Sequence, residues 1–412
     1  MTKCLATERC VADLPIVREA ESARVTMQEL VWAIHLIALP FIFDSLLRAV
    51  LLVLRFCWPS RQLETATLPA PGAVLLIAAC NEAATIGATV SSLHPLLEEW
   101  PGSEIWVVAD RSEDLTAVRA REAGATVVER LEGPNGKGAV VRWWLETYRS
   151  VWEAKAAVVI LDADSRLVPG SLARLGMAMG QGLDAAQAMV APLATTATGR
   201  LAGWSEILMQ QIDDVARSRM GWPIPLRGTG MAIRGDLLAR LAPTLHTEAE
   251  DLELDLLLAT ADAKIGFVPE AVLLDPKPRE PIGASRQRAR WFLGQLAVLR
   301  GYRREVFSLW GSRAGRSRSR LGDLFLFPLL FLRPKVLLIC LRLLLLPAAP
   351  GILGLGLLLD LAYYGAGLLV VDRPGQYARD LLSLPIYVWM WARSLGVAIL
   401  HRGRKGWLRA GR

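Results

Sequence analysis

Apolar residues are spread unevenly along this chain, and that unevenness constrains the fold more than any single motif does. They concentrate at residues 30 to 57 and 321 to 400, whereas residues 60 to 310 carry an ordinary mixture of polar and apolar side chains. A hydrophobic share of 53% over 412 residues, with mean hydropathy +0.33, is high for a purely soluble protein. The layout predicts a water-facing core held between membrane segments.

The polar stretch 1–29 is too long and too acidic for the start of a cleaved signal peptide, so residues 30–58 read as a retained anchor. That anchor exceeds the roughly 20 residues a span needs and carries Asp44 and Arg48 four apart on one helical face. One span kinked at Pro40 is expected, its ion pair buried against another helix, with a re-entrant or interfacial pair as the alternative. Beyond a basic linker at 306–320, the apolar stretch 321–332 is too short to cross and is broken by Arg333 and Pro334. Residues 335–353 and 355–371 predict a hairpin of spans. Residues 381–400 hold Trp389, Trp391 and Arg393 and run into a basic tail at 401–412. If that tail and the core share the cytosolic side, the number of C-terminal spans is even, which favours two spans and a final interfacial helix within 321–400.

The net charge of +7 sits largely in Arg313–Arg320 and in the tail, each beside an apolar segment, which points to anionic membrane lipid. Nucleic acid is not expected, because no stretch interleaves basic and stacking aromatic residues. The five cysteines, Cys4, Cys10, Cys57, Cys80 and Cys340, show no metal or disulfide spacing. No repeat of fixed period is present.

Between residues 68 and 305, short apolar runs alternate with helical stretches: 73–78, 105–109, 126–128, 157–161 and 186–191. This is an α/β pattern with a largely parallel sheet, in which ligands lie beyond the carboxyl ends of the strands. The first run ends in Asn81-Glu82 and the second in Asp110; each suits a ligand or a helix N-cap. Lys137, in a glycine-rich turn, lacks the spacing of a P-loop but can reach a diphosphate. Asp162-Ala163-Asp164 follows the fourth run. Alternation along an extended strand would put both carboxylates on one side, a costly arrangement without a cation, and hard oxygen ligands suit Mg²⁺ or Mn²⁺. Gly228-Thr229-Gly230 permits close backbone approach to a ligand, or marks a tight turn. Among the acids of the 248–253 cluster, Glu250 and Asp251 open an apolar helical stretch, where one carboxylate can serve as general base and the others favour the helix dipole. Finally, Gln287, Arg290 and Trp291 form a Gln-x-x-Arg-Trp element, an amide and a guanidinium on neighbouring faces with a ring that can stack on a sugar; a basic membrane-surface helix is the alternative.

Taken in order, these elements resemble family 2 glycosyltransferases, especially the branch of cellulose, chitin and hyaluronan synthases, across about residues 72 to 300. The resemblance implies a glycosyltransferase A-type, Rossmann-like catalytic domain, flanked here by transmembrane and interfacial helices, in the cell inner (plasma) membrane with its catalytic domain cytosolic. It implies an inverting, metal-dependent transfer from a nucleotide-sugar donor, a UDP-sugar, to a glycan or lipid-linked acceptor, with export or polysaccharide-assembly proteins as further partners. Asp110 would take the uracil; Asn81, Glu82, Lys137, Asp162 and Arg290 would surround the donor; Asp162 and Asp164 would hold the metal. Asp251 would be the base, with Gly228, Thr229, Gly230, Glu250, Gln287 and Trp291 toward the acceptor. The chain departs from the family where Ala78 or Ala79 stands in place of a frequent proline and Ala249 in place of threonine. The small membrane portion also argues against a dedicated polymer channel. Two other readings stay open: transfer of a single sugar to a polyprenyl phosphate, and a non-catalytic membrane scaffold of the same shape.

Overall fold

The computed structural model describes residues 44–57, 67–222, 224–245, 249–278, 280–305, 335–347 and 350–401, with Glu29 and Ile42. Most of the expected N-terminal anchor, the linker at 306–320, the stretch at 321–332 and the tail beyond 401 lie outside the described residues. The described residues form two units: those up to Val50 with those from 335 to 364, and the remainder.

The larger unit is built on strands β1 (Ala73–Ala79), β2 (Glu104–Asp110), β3 (Thr126–Arg130), β4 (Ala157–Asp162), β5 (Arg166–Leu167), β6 (Ala185–Leu193), β7 (Met231–Ile233) and β8 (Ile265–Pro276). They form one sheet in the order β3-β2-β1-β4-β7-β6-β8-β5. The first four are parallel neighbours. Strand β7 runs antiparallel to β4 and β6, and β5 antiparallel to β8, so the sheet is mixed in its second half. All five apolar runs are strands. The unexpected ones are short, or in β8 carry Pro269, which reads against a strand because it cannot donate to the ladder. The β6–β8 register jumps from Ala188↔Val268 to Met189↔Val272, so the proline sits in a bulge.

Side chains of the central strands alternate between two cores. Val74 and Leu76 pack with Val140, Val141 and Trp144 of helix α3 (Lys137–Thr147), following α1 (Ile86–Leu93) and α2 (Thr116–Glu122). Leu75 and Ile77 pack on the other face with Ile86, Val90 and Leu93 of α1 and with Leu172 and Leu175 of α4 (Ser171–Gly180). Burial on both faces is what a near-continuous apolar strand demands.

Helices α5 (Ala197–Leu208), α6 (Glu250–Thr260) and α7 (Pro281–Gly301) complete the catalytic layer. Farther on lie α8 (Lys335–Leu345), α9 (Pro350–Gly367), α10 (Pro374–Asp380) and α11 (Leu384–His401). Within the larger unit, α10 is held to α5 by Arg200, which donates to both oxygens of Asp380 at 2.6 and 2.7 Å. Helix α11 lies along α7, where Ser285 Oγ donates to the Met390 carbonyl at 3.1 Å and Phe292 meets Trp391. Its other face exposes Ile386, Trp389, Ile399 and Leu400.

Among the described residues, two stretches are long and apolar enough to cross a membrane, Pro350–Val370 and Pro374–His401. Of the hairpin expected at 335–353 and 355–371, the described residues include α8 and α9, and Pro350 starts the second helix at a position that tolerates its missing N–H. In the smaller unit the expected Asp44–Arg48 pair is present at 3.2 Å and buried, and Arg48 Nη1 also donates to Tyr363 Oη at 3.1 Å. Asp360 accepts from Ser45 at 2.8 Å and pairs with Arg342 in the same buried cluster.

Candidate active site

The carboxyl ends of β1, β2 and β4 open on one edge of the sheet, and the chain leaves two of them in left-handed backbone, Asn81 at φ 58° and Arg111 at φ 48°. Such conformations are uncommon without glycine and gather where a site over-determines them. Asn81 accepts from the Glu113 N–H at 2.8 Å, and the Glu82 N–H donates to Thr116 Oγ1 at 2.8 Å. Neither residue caps α1, which has no side-chain cap; both stitch the first loop to the second.

Asp110 ends β2, buried, with Arg130 Nη1 donating to it at 2.6 Å and Arg111 gripping it from the other side. Arg130 is 3% exposed and fixed, while Arg111 is 31% exposed and also bonds Asn135, two residues before Lys137. The loop after β2 is thereby joined to the next group of residues.

Five residues distant in sequence converge there. Lys137 Nζ bonds the Asp162 carboxylate and donates to the Gly228 carbonyl at 2.7 Å. A Cβ on Gly228 would stand 3.7 Å from Asp251 Oδ2 and 3.8 Å from Glu250 Oε1, and one on Gly138 would stand 2.9 Å from Glu250 Cβ. Gly228 also holds φ 77°, so glycine is required there for its conformation, while the distances would admit a Cβ. Burial, and then the Asp251 charge, push the Glu250 carboxyl up to about 7 against the pull of Lys137. Burial likewise raises Asp251. Burial alone would lower Lys137, but Asp162 and Glu250 more than offset it and raise its pKa.

Strand β4 ends at Asp162, and Asp164 lies in the turn that follows, so strand alternation does not reach it. Both acids are nevertheless half-exposed, while Ala163 and Ser165 are buried. The Asp162 carboxylate is 43% exposed with Lys137 on one oxygen. Among the described residues no three acidic, His or Cys side chains gather as a metal cage. Two carboxylates with an open side fit a Mg²⁺ or Mn²⁺ that completes its shell from water and phosphate.

Thr229 is buried, and its hydroxyl accepts the Asp162 N–H at 3.0 Å, which orients the acid. Gly230 donates to the Ile160 carbonyl at 2.9 Å, locking the turn to β4. Gln187, fully buried in β6, clamps the same loop by accepting from the Arg227 N–H and donating to the Thr229 carbonyl, both at 2.9 Å. Sequence reasoning passed over Gln187, although a lone amide inside an apolar strand was the available signal.

Gln287 and Trp291 stand apart from this cluster, one helical turn apart on α7. They line a narrow cleft together with Thr198 and Glu206 of α5, with Lys277 just beyond β8, and with Arg288. Lys277 pairs with Glu206 and with Asp275 at 2.8 Å. Burial raises Asp275, which also lies within electrostatic reach of Asp162, so the cleft borders the acidic centre. Arg290 lies on the same helix but does not line the cleft.

No curated protein matches the sequence. Among solved structures, a mannosyltransferase from Pyrobaculum calidifontis, in complex with GDP-Man and Mn²⁺, is 18% identical, with a TM-score of 0.54 over 91% of this chain and 99% of that one. Glucosyl-3-phosphoglycerate synthase from Mycobacterium tuberculosis, in complex with Mg²⁺ and UDP, is 22% identical over 56% of this chain and 79% of that one, with a TM-score of 0.40. At 18% identity the likeness to the mannosyltransferase is one of fold. Residues 70–294, more than half of the chain and the whole span from β1 to the Gln-x-x-Arg-Trp helix, match the family described as glycosyltransferase like family 2, so the chain belongs to that family and is a glycosyltransferase.

Proposed function

We propose that the protein transfers a sugar from a nucleotide diphosphate sugar, a UDP-sugar, to an acceptor hydroxyl with inversion at the anomeric carbon. The observation that carries this reading is the convergence of Lys137, Asp162, Gly228, Glu250 and Asp251 at the carboxyl edge of the parallel strands. The nucleobase lies against Asp110, approached from the Arg111 side, because Arg130 is fixed and Arg111 is the partner open to solvent. Lys137 has one N–H left after Asp162 and Gly228, and it points the donor diphosphate toward the acidic edge. A divalent cation on Asp162 and Asp164 would neutralise charge building on the departing diphosphate.

Asp251 takes the acceptor hydroxyl proton as the oxygen attacks; its raised pKa brings it closer to the range in which a base works at neutral pH. Glu250 beside it keeps the pocket's proton count adjustable. Trp291, 39% exposed, and the Gln287 amide receive the acceptor. Helix α9 spans the membrane, and the α10–α11 arm, docked on α5 and α7, lies in the interface on the side of the catalytic unit, one face on the enzyme and the other in lipid, so the crossings that precede it, α9 among them, are even in number. The product belongs to an envelope or exported glycan. Membranes carrying the protein, incubated with UDP- and GDP-sugars and Mn²⁺, should label a product from one donor. Failure of every nucleotide-sugar to bind or react would refute the reading.

A further inference from the structure

The cleft of α5, α7 and α11 contains a charge that its surroundings do not balance. Arg288 is 5% exposed, and a guanidinium stays charged in a protein. Among the described residues its bonds are to the Ala284 carbonyl at 3.1 Å and the Met390 sulfur at 3.5 Å, with the Trp391 ring 4.7 Å from its Cζ. Among the described residues no carboxylate pairs with it, and its Nε has no acceptor. Glu206, which acts on it electrostatically, is already taken by Lys277, which holds Asp275 as well. A buried, unpaired cation is costly, and an anion drawn in beside it removes that cost.

The cleft holds about 10 Å³, room for a single oxygen of such an anion rather than for the whole group, and its other donors suit one. Thr198 and Gly199 belong to the first turn of α5, a 12-residue helix whose Thr196 cap accepts the Gly199 N–H and contacts the Thr198 hydroxyl at 3.5 Å. The positive end of that helix therefore borders the cleft at Thr198 and Gly199, with Gln287 on the α7 side. We propose that this cleft is an oxyanion subsite keyed on Arg288, which receives an oxygen of a phosphate or carboxylate group carried by the acceptor. The inference rests on the acceptor side assigned above, and it adds that the acceptor is anionic. The apolar outer face of α11 beside it suits an anion delivered on a lipid chain.

Calorimetric titration of the full-length protein, with Mn²⁺ and the donor nucleotide saturating so that the diphosphate site is filled, tests this. The probes are octyl phosphate, inorganic phosphate and octyl glucoside. Octyl phosphate should bind saturably, at least about tenfold more weakly in Arg288→Met and with a smaller loss in Arg288→Lys. Tighter binding of octyl phosphate than of inorganic phosphate assigns a membrane-borne anion, and equal binding assigns a soluble one; both support the subsite. Equal octyl phosphate affinity in wild type and Arg288→Met, or octyl glucoside binding as tightly as octyl phosphate, overturns it. Unchanged nucleotide binding in Arg288→Met shows that the variant is folded, and it separates failure of the subsite from failure of the transferase reading. A purely structural Arg288 would lower the melting temperature and leave the ranking of the probes unchanged.

Discussion

The two halves of the sheet do different work and are held by different forces. In the parallel half, β3-β2-β1-β4, apolar strands are covered on both faces, and charged groups appear where the strands end, so Asp110 and Asp162 emerge from rigid supports about 10 Å apart across two strand spacings. In the other half, β7 and β8 are short or bulged, and position comes from polar groups: buried Gln187 and Thr229 and the partly buried Lys277–Asp275–Glu206 cluster. Packing holds the side proposed to bind the donor, while the side proposed for the acceptor is held by hydrogen bonds that must all be satisfied at once. The difference teaches that donor binding and transfer should be separable by mutation.

The strongest test of that separation is Asp251→Asn, which keeps size and removes the base. Turnover should fall by about 10³-fold or more while nucleotide binding stays intact. Unchanged turnover would remove Asp251 from the chemistry, and lost nucleotide binding would show the halves to be one unit. Next in size is Asp164→Ala. It should raise the Mn²⁺ concentration needed for half-maximal nucleotide binding by about tenfold or more, and a normal titration would take Asp164 out of the metal site.

That same division explains what could be read from sequence. The donor half was legible because four short apolar runs led into polar residues: Asp110 and Asp162 close two of the strands, and Lys137 follows the glycine-rich turn after a third. Asn81 and Glu82 looked like capping chemistry, yet they bond between loops, a contact across more than 30 residues that no local pattern encodes. Strand β8 was hidden by Pro269, and β7 by having only 3 residues. Lys277 and Arg130 carry no sequence signal, since each acquires its meaning from partners that tertiary packing brings to it.

Thr229→Val probes the joint between the halves. Valine nearly matches threonine in shape but leaves the Asp162 N–H without its 3.0 Å acceptor. A loss of about 1–3 kcal/mol in stability is expected, with weaker Mn²⁺-dependent nucleotide binding because Asp162 loses its orientation. Loss of stability with metal dependence unaltered would mean that Thr229 only supports the fold.

The smallest effect concerns protons at the acceptor edge. In the metal-free, nucleotide-free protein, Glu250 titrates at about 7, against 4.5 for an ordinary glutamate, because burial and then the Asp251 charge disfavour its ionised form. Folding therefore binds a proton at this site. The resulting stability is fully present below pH 4.5 and is lost as the pH rises through about 7. Glutamine mimics the protonated acid, so Glu250→Gln should melt close to wild type near pH 4.5 and above it by a growing margin toward pH 8. Melting curves of the two proteins across that range provide the measurement. Parallel curves would show that Glu250 ionises as it does in water, and that the acceptor edge is no drier than the donor edge.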